Sequence, residues 1–191
     1  MTLERFRRFS WHLLVAGALG LLVGGCTSRS IQRAPSHIDI IGRTAPTIQN
    51  RTVEGEKFNL RDYEGKKIII VNFFGTWCPP CRAELPELYS VYLENQENVQ
   101  LVGVALNIED EAVRRFMRNL NVDFPAILSP RNTDSGIPER YQVPTVPTTA
   151  VIGLDGRIIY YRPGMLRDHH FDELRTVITD ELTPRSRASP P

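Results

Sequence analysis

The feature that most constrains this chain is an apolar run that ends in two cysteines, Val71-Asn72-Phe73-Phe74-Gly75-Thr76-Trp77-Cys78-Pro79-Pro80-Cys81. A continuous apolar run of this length is typical of a strand that is buried on both faces. The two prolines suit the first turn of a helix, where no hydrogen bond is lost and the backbone φ angle is already set. The sequence therefore predicts a strand, a tight turn and a helix that begins with a pair of thiols.

A thiol at the start of a helix has a specific chemistry. Unpaired backbone N–H groups and the positive end of the helix macrodipole stabilise a thiolate there. Such a position lowers the pKa of a thiol below its ordinary value of about 8.5. Cys78 is therefore predicted to be the attacking thiol, at the exposed front edge of the helix. Cys81, one turn later, is predicted to be the resolving thiol that closes a redox-active disulfide.

Chain length and charge narrow the classes of function. A chain of 191 residues allows one domain with short appendages. The near balance of 23 basic and 22 acidic residues gives no reason to expect a nucleic-acid partner. Three cysteines are too few for a small fold that depends on disulfides. Two of them form the motif above, and Cys26 lies in a different kind of segment.

Residues 1–25 have the pattern of a secretory signal peptide, with a basic start, an apolar run and small residues after it. The run is shorter than the ~20 residues of a spanning helix. Val23-Gly24-Gly25-Cys26 resembles a bacterial lipobox, whose cysteine is lipidated and becomes the first mature residue. An uncleaved anchor, or a plain signal peptide with an incidental cysteine, stays open as an alternative. In either case the folded part is expected outside the cytoplasm, and lipidation of Cys26 would hold it at the periplasmic side of a bacterial membrane.

The remaining chain is predicted to hold a polar tether, one α/β domain and a disordered tail. The lipidated N-terminus and tether are expected over residues 26–44, the domain over 45–182 and the tail over 183–191. Short strands flank a turn at Glu54-Gly55 and predict a hairpin. Further strands are predicted over residues 68–74, 99–106, 124–128, 148–154 and 157–161. Helices are predicted over residues 79–94, 109–120 and 168–182, on both faces of a mixed sheet.

Over about residues 41–178, these features resemble the TlpA and ResA family of extracytoplasmic thioredoxin-like proteins. The resemblance is carried by Ala45-Pro46, Leu60 to Lys66, Val71 to Pro86, Tyr141-Gln142-Val143, Val146-Pro147-Thr148-Thr149 and Asp155-Gly156. It implies a thioredoxin-like three-layer α/β sandwich with a central mixed sheet, an N-terminal β-hairpin and a central insertion. It also implies a thiol-disulfide oxidoreductase that uses no cofactor and no metal.

The resemblance also assigns residues to substrate docking. Pro147 aligns with the cis-proline that faces the disulfide in thioredoxin folds, and an X–Pro bond makes a cis peptide affordable. Such a bond would turn the backbone of Val146 towards an extended segment of the partner. Trp77 is expected to shield the disulfide and to form part of the docking surface, with a core aromatic as the alternative. A trans proline in a loop is the alternative for Pro147.

Glu84 is the acidic residue that the resemblance singles out. It follows Cys81 by three residues and is expected on the same helix face. The matching glutamate of the family is thought to relay the proton of the active-site thiols, and a solvated surface acid is the alternative. Asn72 stands where thioredoxin has a buried acid. Because an amide cannot accept a proton as a carboxylate does, Glu84 would take that role.

The leading hypothesis is a membrane-tethered reductant of specific extracytoplasmic disulfides. Family likeness suggests partners such as apocytochrome c or copper-site proteins, and a membrane thiol-donating reductase of DsbD or CcdA type that renews the dithiol. An oxidase or isomerase of secreted proteins is the alternative with the same chemistry, because the motif does not set the direction of electron flow.

A copper-binding metallochaperone is the alternative from another class. Thiolates suit Cu(I), and His169-His170 could add imidazole, but this pair is expected in a solvated loop before the last helix. A structural zinc site would need four ligands where two thiols are available. A peroxidase would need a threonine three residues before the reactive cysteine, where Gly75 stands.

Overall fold

The computed structural model describes residues 40–130 and 136–183, and the elements below belong to these ranges. The strands are β1 Gln49–Arg51, β2 Lys57–Asn59, β3 Ile68–Phe74, β4 Val99–Ala105, β5 Ala126–Leu128, β6 Thr148–Ile152 and β7 Ile158–Pro163. The helices are α1 Pro79–Glu94, α2 Asp110–Leu120, α3 Ile137–Arg140 and α4 Asp168–Leu182, with a 3-10 turn at Leu60–Tyr63. The predicted signal peptide, Cys26 and the tail after residue 183 lie outside the described residues. No helix in the described ranges is long and apolar enough to cross a membrane.

Five strands form one mixed sheet in the order β5-β4-β3-β6-β7. The central strand, β3, is parallel to β4 and antiparallel to β6. At the edges, β5 is parallel to β4 and β7 is antiparallel to β6. The strands β1 and β2 form a separate antiparallel hairpin. The predicted thioredoxin-like α/β fold, with its mixed sheet and N-terminal hairpin, is confirmed.

All seven residues of β3 are buried, and their side chains alternate between two apolar clusters. Ile70 and Phe74 belong to the cluster that holds the apolar residues of α1, α2 and α4. Val71 and Phe73 belong to the cluster that holds residues of the hairpin, the 3-10 turn and α3. The three long helices therefore pack on one face of the sheet, and the hairpin, the 3-10 turn and α3 cover the other. The prediction that the three long helices divide between both faces is wrong. Because side chains alternate along a strand, Asn72 lies on the same side as α1.

The folded domain begins earlier than its predicted start at residue 45. Ile40 is buried at 3% exposure, and the backbone N–H of Gly42 donates to the carbonyl of Ile158 at 2.7 Å. Thr44 forms an isolated antiparallel bridge with Arg157, the residue before β7. Residues 40–44 are held by these contacts because they extend the edge of the sheet. This part of the predicted tether therefore belongs to the domain.

Gly103 in β4 has no room for a side chain. A Cβ atom there would lie 2.7 Å from Cε1 of Phe74 and 2.9 Å from Cε2 of Phe124. We expect Gly103→Ala to lower the free energy of unfolding by about 1–3 kcal/mol, because both rings are buried and must repack. Urea unfolding measures the change. Ser90→Ala, on the exposed side of α1, is the control and should stay within about 0.5 kcal/mol of wild type. Equal unfolding midpoints for all three proteins would contradict the expectation.

Candidate active site

The two cysteines lie where β3 passes into α1. Cys78 is the N-cap residue of α1, and Pro79 and Pro80 form its first turn. Cys78 and Cys81 are joined by a disulfide, with their Cα atoms 5.3 Å apart. The backbone N–H of Cys81 donates a hydrogen bond to Sγ of Cys78 at 3.2 Å. The sulfur of Cys78 thus lies at the end of the helix that stabilises a thiolate.

The prediction that Cys78 occupies an exposed edge is wrong for the oxidised protein. The residue is only 4% exposed, and Cys81 is fully buried. The disulfide and the N–H bond hold the sulfur over the helix end, inside the cluster of α1, α2 and α4. Trp77 is 65% exposed, and Pro79 and Pro80 are the other exposed residues of the motif. This exposure excludes the alternative that Trp77 is a core aromatic.

The turn before Cys78 is fixed to the loop that follows β4. The backbone N–H of Thr76 donates to Oδ1 of Asn107 at 3.0 Å, and Nδ2 of Asn107 donates to Oγ1 of Thr76 at 2.7 Å. The indole of Trp77 folds back over Gly75, where an added Cβ atom would lie 2.7 Å from it. Sequence reasoning missed Asn107. Its position directly after a predicted strand was a usable signal, because parallel strands end at the same edge of a sheet.

Glu84 is buried at 1% exposure on the first turns of α1, so the alternative of a solvated surface acid is wrong. Oε2 accepts a hydrogen bond from the backbone N–H of Leu166 at 2.7 Å. Oε1 accepts from Nδ2 of Asn72 at 2.9 Å and from Oγ1 of Thr149 at 3.4 Å. The carboxyl group is therefore held by three separate parts of the sheet and its loops.

The surroundings of Glu84 place its protonation in the neutral range. Burial raises the pKa of Glu84 to about 7, against the opposing effect of the hydrogen bonds from Leu166, Asn72 and Thr149. A group with such a pKa can both accept and release a proton near neutral pH. Oδ1 of Asn72 has no hydrogen-bond partner among the described residues. The amide is thus oriented to donate to the carboxylate.

The loop before β6 contains the cis peptide bond between Val146 and Pro147 that the family resemblance implied. Val146 is half-buried and packs against both apolar clusters. The carbonyl of Pro147 accepts a hydrogen bond from the backbone N–H of Gly164 at 2.8 Å. Leu166, two residues after Gly164, binds Glu84. One short loop therefore joins the proline segment to the buried carboxyl group.

Sequence reasoning gave no role to Thr149 and did not single out Leu166. Thr149 faces Asn72 in the register of β3 and β6, and its hydroxyl accepts from Nδ2 of Asn72 at 3.0 Å. Leu166 contributes its backbone N–H, so its side chain carries no signal. Both contacts depend on the pairing of distant segments, since Leu166 lies 82 residues from Glu84.

The histidine pair is placed differently from its prediction. His169 and His170 belong to the first turn of α4, and His170 is buried at 3% exposure. Nδ1 of His170 accepts a hydrogen bond from the backbone N–H of Arg167 at 3.0 Å, which caps the helix. The helix itself begins at Asp168, as predicted, and only the solvated-loop environment expected for the histidines is wrong. Within residues 40–130 and 136–183, no group of three His, Cys, Asp or Glu side chains is placed to hold a metal ion.

The chain is similar to known proteins in sequence and in fold. The family model Redoxin matches residues 41–178, a range that includes the cysteine pair, Glu84 and Pro147. Thiol-disulfide oxidoreductase ResA of Bacillus cereus is 32% identical over 173 residues, which cover 87% of this chain and 92% of that protein. The crystal structure of a thiol:disulfide interchange protein from Chlorobium tepidum has 25% identity and a TM-score of 0.63, covering 73% of this chain and 96% of that one. A secreted disulfide oxidoreductase of Mycobacterium tuberculosis has 27% identity and a TM-score of 0.58, and the match covers 70% of this chain and 95% of that one.

Proposed function

The chain belongs to the Redoxin family and is a thiol-disulfide oxidoreductase that acts on protein thiols, and we propose that it is a membrane-tethered reductant of extracytoplasmic disulfides. In that direction the Cys78 thiolate attacks one sulfur of the partner's disulfide, and the partner's other sulfur leaves as a thiolate. The Cys81 thiolate then attacks Sγ of Cys78. This step releases the second partner thiol and closes the Cys78–Cys81 disulfide, so two electrons pass to the partner.

We assign to Glu84 the proton that Cys81 must lose before it attacks. Glu84 lies one turn after Cys81 on the buried side of α1, and burial raises the pKa of its carboxyl group to about 7. An acceptor with a pKa near the working pH is the most effective general base. Asn72 and Thr149 orient the carboxyl group through hydrogen bonds and do not themselves take up the proton.

The observation that carries the reducing direction is the same buried carboxyl group. In a low-dielectric surrounding, an ionised carboxylate disfavours a second negative charge at Cys81. Strongly oxidising members of this fold do the reverse and stabilise their reduced form. The residues between the cysteines, Pro79 and Pro80, bring no positive charge that would stabilise a thiolate. The disulfide form is therefore favoured, and the dithiol gives up its electrons readily.

The reduction potential of the Cys78–Cys81 pair tests this direction. We expect a value near or below about −220 mV when the protein is equilibrated with glutathione or dithiothreitol buffers. Glu84→Gln should raise the potential by about 30 mV, because it removes the negative charge near Cys81. Glu97→Gln, an exposed acid in the loop after α1, is the control and should leave the potential unchanged. A wild-type value near about −120 mV would overturn the proposal and indicate an oxidant of secreted proteins.

The N-terminal segment supports the proposed tether of this reductant, and the family likeness supports its proposed partners. Lipidation of Cys26 would hold the domain at the outer side of a bacterial membrane, and the likeness to a secreted relative supports that side. Apocytochrome c or copper-site proteins are the proposed clients, and a membrane reductase of DsbD or CcdA type the proposed donor. Cys26→Ala should move the protein from the membrane to the soluble fraction of cells. Retention in the membrane would instead support an uncleaved anchor.

A further inference from the structure

A groove lies between the first turn of α1 and the exposed face of α2, beside the cysteine pair. Its volume is about 180 Å³, and it is lined by Thr76, Arg82, Ala112, Arg115, Phe116 and Asn119. Thr76 comes two residues before Cys78 and Arg82 directly follows Cys81, so the groove borders both ends of the motif. Sites for small molecules usually exceed ~300 Å³. The groove is therefore of a size for one or two side chains of a protein partner.

Two arginines give this groove a positive charge. Arg82 and Arg115 are exposed, and within the described residues neither forms an ion pair. The guanidinium group of Arg82 lies over the ring of Phe116, 5.0 Å from its centroid, and Phe116 stacks on Phe74 at 5.8 Å. A guanidinium group held over an aromatic ring keeps N–H donors that can bind a carboxylate. Arg82 is thus oriented before a partner arrives.

Acidic residues at the start of α2 do not cancel this charge. Both oxygens of Glu111 are engaged, one by Arg114 at 3.0 Å and the other by Arg118 at 2.9 Å. Glu109 and Asp110 lie at the N-terminal end of α2, where the positive end of the helix dipole offsets part of their negative charge. The groove therefore keeps two positive charges that have no partner within the part of the chain described.

We propose that this groove recognises an acidic side chain of the partner protein, an Asp or Glu within a few residues of the cysteine that exchanges with Cys78. This inference rests on the proposed function, because a groove beside a redox motif serves a partner whose disulfide reacts there. Trp77 and Ile108 are 65% and 79% exposed, and they add apolar contact area near the groove. Tryptophan and arginine are the residues that most often dominate the binding energy of an interface.

Attraction of this kind acts mainly on the rate of association. Complementary charges steer a partner towards the correct orientation, and salt weakens the effect. The Debye length falls from about 30 Å at 0.01 M ionic strength to about 3 Å at 1 M. The preference for an acidic partner should therefore be large in dilute buffer and small in concentrated salt.

The test uses the reduced full-length protein and two synthetic peptides, each with one internal disulfide. The peptides differ only in two residues that flank a cysteine, which are Glu in one and Gln in the other. In dilute buffer we expect the Glu peptide to be reduced about fivefold faster than the Gln peptide. In about 1 M salt the ratio of the two rates should be near one. Chromatography of quenched samples measures both rates. Arg115→Gln should lower the ratio to about twofold or less, and Arg82→Gln should do the same.

Arg43→Gln is the matched control. Arg43 is exposed and lies beside Ile158, at the end of the sheet opposite the cysteines, so the ratio should keep its wild-type value. Equal rates for the two peptides, or a ratio that survives both groove substitutions, would overturn the inference. If the reduced protein reacts with neither peptide, the oxidised protein and the dithiol peptides give the same comparison. A potential near about −120 mV would refute the reducing direction alone and leave the ratio valid.

Discussion

Replacing Cys81 by serine is expected to stop the reaction at the mixed disulfide, and replacing Cys78 by serine to abolish exchange. Cys78 sits at the N-terminal end of α1, where its thiolate is stabilised, and only a thiolate attacks a disulfide. Without Cys81, the covalent complex with the partner has no thiol to resolve it. Non-reducing gels and intact-mass spectrometry should show this complex with Cys81→Ser and its absence with Cys78→Ser.

Cys26 provides the control for this pair of variants. It lies outside the described domain, and Cys26→Ala should retain both the attack and the release of the partner. Release of the partner by Cys81→Ser at the wild-type rate would contradict the assignment. Cys26 would then be tested as the resolving thiol with the double variant Cys26→Ala and Cys81→Ser. The trapped complex of Cys81→Ser, isolated from membranes, would also identify the clients of the protein.

Glu84→Gln is expected to remove a pH-dependent loss of about 3 kcal/mol in the free energy of unfolding of the wild-type protein. The pKa of Glu84 is about 7 in the folded protein, against an ordinary value of 4.5. Between these two values the folded state binds more protons than the unfolded state, so the free energy of unfolding falls as pH rises. This contribution is complete below pH 4.5 and is lost as pH passes 7. The difference between the two pKa values corresponds to about 3 kcal/mol.

Urea unfolding of the oxidised protein at several pH values between about 4.5 and 8 measures this contribution. Glu84→Gln should lose the decline, because an amide is uncharged throughout. The glutamine can still accept from the N–H of Leu166, and its own NH₂ group can donate to Oδ1 of Asn72, which lacks a partner within the described chain. Glu97→Gln, an exposed acid, should keep the wild-type decline. Identical profiles for wild type and Glu84→Gln would show that Glu84 does not titrate in this range.

The local elements of this domain were predictable because their causes are local. The apolar run from Ile68 to Phe74 is long enough to specify a buried strand, and the helix over Pro79–Glu94 was predicted with both of its ends. Two prolines suit the first turn of a helix, which placed the thiols at its N-terminal end. Asp155-Gly156 marked the turn between β6 and β7. Spacing and turn chemistry therefore predicted the redox motif and its setting.

The state of each group in the site depends on contacts between distant segments. Nothing in the local sequence distinguishes a surface acid from the buried Glu84, because its burial requires β3, β6 and the loop before α4 to meet around it. The burial of Cys78, the burial of His170 and the pairing of Thr76 with Asn107 depend on packing in the same way. Desolvation is a property of the whole surroundings of a group, and it sets the protonation of Glu84. The sequence thus predicted the cysteine pair at the start of a helix, whereas the packing of the sheet, helices and loops sets the charge and access of the groups around it.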